Sequence, residues 1–201
     1  MILVVFACSH PVPPAPITVP APEGAFVLQW VEFQHFGLGE PRVVMAEERW
    51  TPTVDAPPDG RPGVVWSVLN TRGDELARPT RMWTAPDGVH RLVNGGARME
   101  LPSPVAPGDA WGEPGRSCVA EATPFCPEGV ATVCTTEVGT RYVWLRQHWC
   151  AVGWVGFEAV STQEDQPTQR FWSEQVTRDG APMPSAPLSE RSVPEPPAPA
   201  P

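Results

Sequence analysis

The sequence predicts a mainly β protein: one domain of antiparallel strands, stapled by disulfides and flanked by disordered Pro-rich tails. Three observations carry this. Proline is abundant, 28 in 201 residues, with six in Pro11–Pro22, eight in Pro182–Pro201 and the rest spread through the middle. Each proline removes a backbone donor and clashes with the preceding helical turn, so long helices are forbidden while short strands and turns are not. Residues Val130 to Thr136 then alternate small and β-branched side chains with a period of two, which suits a pleated surface. Finally, four of the five cysteines fall between Cys118 and Cys150.

That cysteine stretch organises the chain. Val130 to Thr136, Arg141 to Trp149 and Gly153 to Val160 read as three strands of a meander, with Val155, Phe157 and Ala159 on one face of the last. The spacing C-x7-C-x7-C-x15-C lacks the short hook by which one turn presents two ligands to zinc, so disulfides are the expected chemistry and no metal is assigned. Four cysteines allow three connectivities. A tight turn near Val138-Gly139 sets residues whose numbers sum to about 277 opposite one another. This brings Cys126 close to Cys150 and leaves Cys118 and Cys134 flanking the loop that carries Pro124 and Pro127. Cys118–Cys134 with Cys126–Cys150 is the favoured pairing.

Taken in order, the chain opens with an apolar run, Met1 to Ala7, followed by Cys8. Val5-Phe6-Ala7-Cys8 resembles a bacterial lipobox, in which the cysteine is lipidated and becomes the mature N-terminus. The run is short and lacks a basic n-region, as a start assigned too late would produce; the other reading is a buried first strand with a core cysteine. Residues 1–8 are therefore read as a truncated signal. Ser9 after the cysteine fits outer-membrane retention in that family. Residues 9–24 form a Pro-rich tether sampling polyproline II. The β domain spans 25–180. Ala25 to Gln34 reads as a strand on its β-branched and aromatic content, although Phe26, Trp30 and Phe33 also fit helical spacing. Arg42 to Ala46 and Val64 to Asn70 are strands, separated by a Pro/Asp/Gly loop from Thr51 to Gly63. Thr80 to Val93 is a hairpin about Pro86-Asp87-Gly88. Ala97 to Leu101 and Ala110-Trp111 add short strands joined by the turn-rich Pro102–Gly108, and Gln169 to Val176 is the last strand. Residues 181–201 are expected to be disordered.

Composition excludes some partners. All fourteen basic residues are arginine and the net charge is −9, so the chain lacks the basic face that displaces counterions from nucleic acid, and electrostatic attraction to anionic lipid is disfavoured.

From about Arg81 to Arg178 the order of features is similar to a group of lipoproteins. Met82-Trp-Thr-Ala-Pro-Asp-Gly-Val89 is followed by Leu101-Pro-Ser-Pro-Val-Ala-Pro-Gly-Asp-Ala-Trp111. A cysteine-bearing hairpin comes next, then Tyr142-Val-Trp-Leu-Arg-Gln-His-Trp-Cys-Ala-Val-Gly-Trp-Val155, and Phe171-Trp-Ser-Glu-Gln-Val176 closes the series. This resembles uncharacterised lipoproteins of Gram-negative bacteria, myxobacteria among them. Their domains look like curved antiparallel sheets related to the lipoprotein-carrier half-barrels of the LolA/LolB type. The resemblance implies a half-barrel or small barrel. It covers about half the chain and rests on turn and strand markers, so it speaks to fold rather than to function.

No nucleophile elbow, HExxH, phosphate loop, dinucleotide fingerprint or EF-hand is present, and no enzyme class or cofactor is assigned. The histidines, His10, His35, His90 and His148, are isolated in sequence. His148, among Tyr142, Trp144 and Trp149, is either structural or part of an aromatic binding patch. Asp87 and Asp109 sit in turns that a side-chain-to-backbone hydrogen bond explains. Glu47-Glu48 and Asp74-Glu75 read as solvated faces, and Asp109 with Glu113 as one of many carboxylate pairs in an acidic chain. The nine tryptophans are core first, with a lipid-lined or sugar-stacking surface as the other use. If a ligand is bound, Trp30, Trp66, Trp83, Trp144 and His148 are the candidates to meet it. The expected function is a non-catalytic, ligand- or partner-binding lipoprotein of the cell envelope. It is anchored in the outer membrane through a palmitate-bearing Cys8, with lipid, glycan or envelope protein as its partner. The alternative is a carrier or sensor of an apolar, lipid-like ligand in the concave face of the sheet.

Overall fold

The computed structural model describes residues 16–18, 23–73, 75–76 and 79–195. Cys8 and the stretch Val5–Cys8 read as a lipobox lie outside them. The chain forms β1 (Phe26–His35), β2 (Arg42–Pro52), β3 (Val64–Arg72), β4 (Glu75–Leu76), β5 (Thr80–Ala85), β6 (Gly88–Val93) and β7 (Gly96–Pro102). The second half gives β8 (Ala110–Glu113), β9 (Arg116–Ala122), β10 (Val130–Val138), β11 (Arg141–Cys150), β12 (Gly153–Gln163), β13 (Gln169–Arg178) and β14 (Ala181–Pro182). Among the described residues there is one 3-10 turn, Glu190–Ser192, and no α-helix.

Twelve of these strands make one antiparallel sheet, β7-β6-β5-β3-β2-β1-β13-β12-β11-β10-β9-β8, with β4 and β14 as short additions to β3 and β13. The sheet curls into a nearly closed barrel. Two meanders, β1 to β7 and β8 to β13, are joined where the last long strand pairs with the first. The hydrogen-bonded seam is missing between β7 and β8. The connection there carries Pro102, Pro104 and Pro107, which have no N–H to offer a ladder. Arg116 of β9 reaches over this gap, donating from Nη1 to the Met99 carbonyl at 2.9 Å. The half-barrel or small barrel expected from the resemblance is thus a barrel with one open seam.

Side-chain parity fills the inside in layers. On β1, Phe26, Leu28, Trp30, Glu32 and Gln34 are buried at every second position. The first three join Trp50, Trp66, Val68, Met82, Leu101, Val130, Trp149 and Phe157 in one apolar core. Toward the end of the barrel that holds the β1–β2 turn, the inward positions become Glu32, Gln34, Asn70 and Arg72. One end is therefore packed and the other polar. At the packed end Ile17 and Val105 form a two-way β-bridge, with N–H to O distances of 2.8 and 3.0 Å. Ile17 also packs on the core. The tether read over 9–24 is consequently pinned at Ile17 rather than free along its whole length.

The outer face is covered as well. The 53–63 loop lies over Val65, Trp83 and His90, with Asp59 Oδ2 accepting from Trp83 Nε1 at 3.3 Å. The 123–129 loop lays Phe125 over His148. The segment read as disordered from 181 onward is laid on the barrel through Glu195, because Leu188 and Val193 bury there, Val193 against Trp144 and Val160. His35 Nδ1 meets Glu190 at 2.6 Å and fixes the same segment.

Both disulfides are present as the favoured pairing, Cys118–Cys134 and Cys126–Cys150. The β10–β11 pairs sum to 279 rather than 277, since Val138 faces Arg141 across a Gly139-Thr140 turn. Cys118 and Cys134 are direct partners on β9 and β10, a pairing that depends on β9, a strand the sequence reading did not include.

Candidate functional site

A cavity of about 330 Å³ opens inside the barrel between the apolar core and the polar end. Trp30, Trp50, Trp149, Trp154 and Phe157 wall it, with Val68, Met82 and Leu145 between them. Trp30 meets Trp154 edge-on at 5.1 Å, and Phe157 at 6.4 Å. Glu48, Asn70, Arg72, Arg91, Glu100 and Gln147 supply its polar side. An apolar body with a few convergent polar groups is the usual composition of a small-molecule site.

Two β-bulges aim these groups. Opposite His148 and Trp149, β12 carries one extra residue: His148 pairs with Gly156 and Trp149 with Trp154. Trp154 and Phe157, three positions apart, consequently both line the cavity. Opposite Val89 and His90, β7 carries Glu100 as the extra residue, since Val89 pairs with Leu101 and His90 with Met99. Glu100 turns inward beside Leu101. Bulges re-aim side chains in this way.

The polar side has two poles. On β1 to β3, Arg72 Nε lies 3.0 Å from both oxygens of Glu32, and Gln34 Nε2 donates to the same carboxylate at 2.9 Å. Glu48 accepts from Asn70 Nδ2 at 2.9 Å and from Trp50 Nε1 at 3.3 Å. It is thus a cavity residue and not the solvated face its sequence context suggests; Glu47 beside it does point outward, toward Gln29 and Arg49. On β6, β7 and β9, three guanidiniums surround one carboxylate. Arg98 meets Glu100 Oε1 at 2.6 and 2.8 Å, Arg91 Nε lies 3.3 Å from the same oxygen, and Arg116 reaches Oε2 at 3.2 Å. Burial depresses the Arg116 guanidinium; Glu100 and Glu113 oppose this, and Arg98 and Arg91 reinforce it.

Of the residues expected to meet a ligand, Trp30 lines the cavity. Trp66 is in the core beneath it, edge-on to Trp50 at 6.3 Å. Trp83, Trp144 and His148 face the outside of the barrel and are sealed there by the 53–63 loop, the C-terminal segment and the 123–129 loop. Trp83 stacks on His90 at 5.3 Å and Trp144 packs on Val193. Asp109 makes the turn bond expected of it, to the Ala106 N–H at 2.8 Å. Asp87 instead bonds His90 Nε2 at 3.0 Å and Arg61. Trp50, Trp154, Arg91 and Glu100 are among the cavity residues that sequence reasoning missed, and Trp149, read only as a neighbour of His148, lines the cavity from the opposite face of its strand. Periodicity could have shown Trp50 and Trp149, but not the two groups that bulges re-aim.

His148 lies in a second polar cluster. Its Nδ1 faces Thr123 Oγ1 at 2.9 Å and its Nε2 faces Glu158 Oε2 at 3.0 Å. The order is that of a nucleophile, base and carboxylate. Yet the Thr123 oxygen also accepts the Phe125 N–H at 3.3 Å, and the Phe125 ring sits 4.5 Å from the imidazole. These groups line none of the described cavities. They clamp the 123–129 loop. A wider cleft of about 500 Å³ at the packed end is built of Pro16, Ile17, Thr18, Pro107, Pro127, Glu128, Gly129 and Ala151. It is larger than the barrel cavity but offers no aromatic wall and no cation. Among the described residues no cluster of His, Cys, Asp or Glu is placed to hold a metal.

The chain matches no protein-family model and no curated protein sequence.

Proposed function

We propose that this chain is a lipid-anchored envelope protein whose barrel binds a small molecule with an apolar body and does no chemistry on it. The barrel cavity is the observation that carries the reading. It is within the usual size range of small-molecule sites, walled by four tryptophans and a phenylalanine, and open to the polar end. Two disulfides fit an exported chain, since such bonds persist in oxidising compartments. The lipobox-like Val5-Phe6-Ala7-Cys8 and the resemblance to lipoprotein-carrier half-barrels support an anchor on Cys8, in the outer membrane, on its periplasmic or cell-surface side. An anchored barrel receives cargo in place, as a sensor or a stationary carrier. Native mass spectrometry of protein purified without detergent tests the binding: a co-purified adduct of a few hundred daltons is expected, displaced when Trp30→Ala alters the wall. A barrel that takes up no apolar molecule under any loading would discard it. Labelled palmitate incorporated through Cys8, and lost in Cys8→Ser, tests the anchor.

A second reading, a surface for an envelope protein or glycan, is favoured by the outside of the β1–β2 hairpin. There Phe36, Leu38, Val43 and Met45 are exposed, Leu38 by 87%. Crosslinking from Leu38 to a single envelope partner, with an unloaded cavity, would favour it.

A further inference from the structure

We propose that the ligand of the barrel cavity carries an acidic group, a carboxylate or a phosphate ester, and that Arg91 is the residue that receives it. This rests on the cavity being a ligand site. The guanidiniums of Arg91, Arg98 and Arg116 converge on Glu100, so three positive charges share one carboxylate. Glu113 is the other acid acting on Arg116. A surplus of positive charge inside an acidic protein is the reverse of its surface and calls for an anion.

The hydrogen bonds single out Arg91. Glu100 Oε1 already accepts two bonds from Arg98, and Oε2 accepts from Arg116. Arg91 Nε is buried and, although 3.3 Å from Oε1, has no aligned acceptor among the described residues. Its Nη2 finds only the Met82 sulfur, at 3.9 Å. Arg116 spends its donors on Glu100, the Met99 carbonyl and Cys134 Sγ. Arg72, the other cation on the cavity wall, is held by Glu32 and Asn70. Nε is sealed beside Glu100, so the donors left without a protein oxygen are Nη1 and Nη2, on a side chain one-third exposed; a planar guanidinium so placed on the polar side of an aromatic-walled cavity suits two oxygens of an acid. Glu48 lies three strands away along the sheet, on β2, and repels an anion from that end. Together the two poles orient the ligand, with its acid at Arg91 and its apolar body against Trp30, Trp149 and Trp154.

The test compares three probes that share a ten-carbon chain, decanoate, decan-1-ol and decyltrimethylammonium, by quenching of tryptophan fluorescence in the full-length protein. Decanoate is expected to bind at least tenfold more tightly than decan-1-ol, as a charge-assisted hydrogen bond implies, and the cation most weakly. Arg91→Gln should remove the preference for decanoate and leave decan-1-ol within about twofold. Equal binding of decanoate and decan-1-ol, or tightest binding of the cation, would overturn the acidic group while leaving the cavity as a ligand site. If none of the three binds, the cavity itself is not a ligand site and both readings fall. The comparison on the unaltered protein decides the matter even if Arg91→Gln does not fold.

Discussion

His148 Nε2 lies 3.0 Å from Glu158 Oε2, and each side chain is only 2% exposed although both point to the outside of the barrel. The 123–129 loop makes this possible. Phe125 covers the imidazole, Thr123 takes its other nitrogen, and the Cys126–Cys150 disulfide ties the loop to the end of β11. Arg146 Nη1, 3.8 Å from the same carboxylate oxygen, adds a second charge to the group.

Removing one partner of such a pair strands the other without water. His148→Ala is therefore expected to cost about 3–5 kcal/mol, and Thr123→Val about 1–3 kcal/mol through its lost hydrogen bonds. Urea titration followed by circular dichroism measures both. Neither substitution should change ligand uptake by the barrel cavity, which lies on the other face of the sheet. A loss of uptake in Thr123→Val at unchanged stability would contradict this.

Opening the Cys126–Cys150 bond should loosen the same loop. Its ends are 24 residues apart, against 16 for Cys118–Cys134, whose cysteines are also held by the β9–β10 ladder. Cys126→Ala with Cys150→Ala is expected to cost about 2–4 kcal/mol. Hydrogen exchange should show the loss of protection concentrated in 123–129 and the start of β12. Uniform loss across the barrel would show instead that the bond holds the fold as a whole.

The 53–63 loop should release in acid. Burial pushes the Asp87 carboxyl up, but hydrogen bonds from His90 and Arg61 outweigh it and hold the group below the ordinary aspartate range. Desolvation raises Asp59 too, and the hydrogen bonds and charge of Arg61, with the Trp83 indole, together outweigh it and hold that group low. An unfolded aspartate titrates at about 3.9. The stabilisation is thus complete above that value and is lost as pH falls through the lower folded values. Trp83 emission should shift to the red only below about pH 4. Asp87→Asn, which keeps a hydrogen bond but no charge, should flatten the transition. A transition centred well above about pH 4 in the unaltered protein would contradict the assignment to these two aspartates.

Two indoles of the cavity wall should respond differently to replacement by phenylalanine. Trp154 Nε1 is buried without a partner among the described residues, whereas Trp30 Nε1 donates to buried Glu32 at 3.3 Å. Trp154→Phe should cost less than about 1.5 kcal/mol. Trp30→Phe takes a donor from Glu32 and should cost about 1–3 kcal/mol more. Equal losses in thermal or urea unfolding would refute the distinction.

Gly88 is expected to tolerate no side chain. Its φ is +140°, and a Cβ would fall 2.1 Å from the Leu101 carbonyl oxygen. Gly139, at φ +60° in open space, should accept alanine for about 1 kcal/mol. Gly88→Ala should cost several times that, or abolish the β5–β6 hairpin, as its amide resonances would report.

The sequence by itself determined the strands and the staples. Period-two runs and turn residues marked most of the long strands, and the hairpin count paired the cysteines correctly despite a register two units off. It also placed the loop read over Thr51–Gly63, whose prolines and glycines admit little else, although β2 extends through Pro52 and shortens it by two residues. What it left open was which face of each strand points inward. Parity separates two faces but does not label them, and here loops and the C-terminal segment bury the outer face too. Trp83 is therefore as buried as Trp30, and Trp144 nearly so, while both lie outside the barrel. Closure decided the rest. Pairing of β13 with β1 brings Phe157 and Trp154 to Trp30 from the far end of the chain. One extra residue in β7 and another in β12 turn Glu100 and Trp154 inward against the alternation. A bulge is a relation between two strands, so no single run of residues records it.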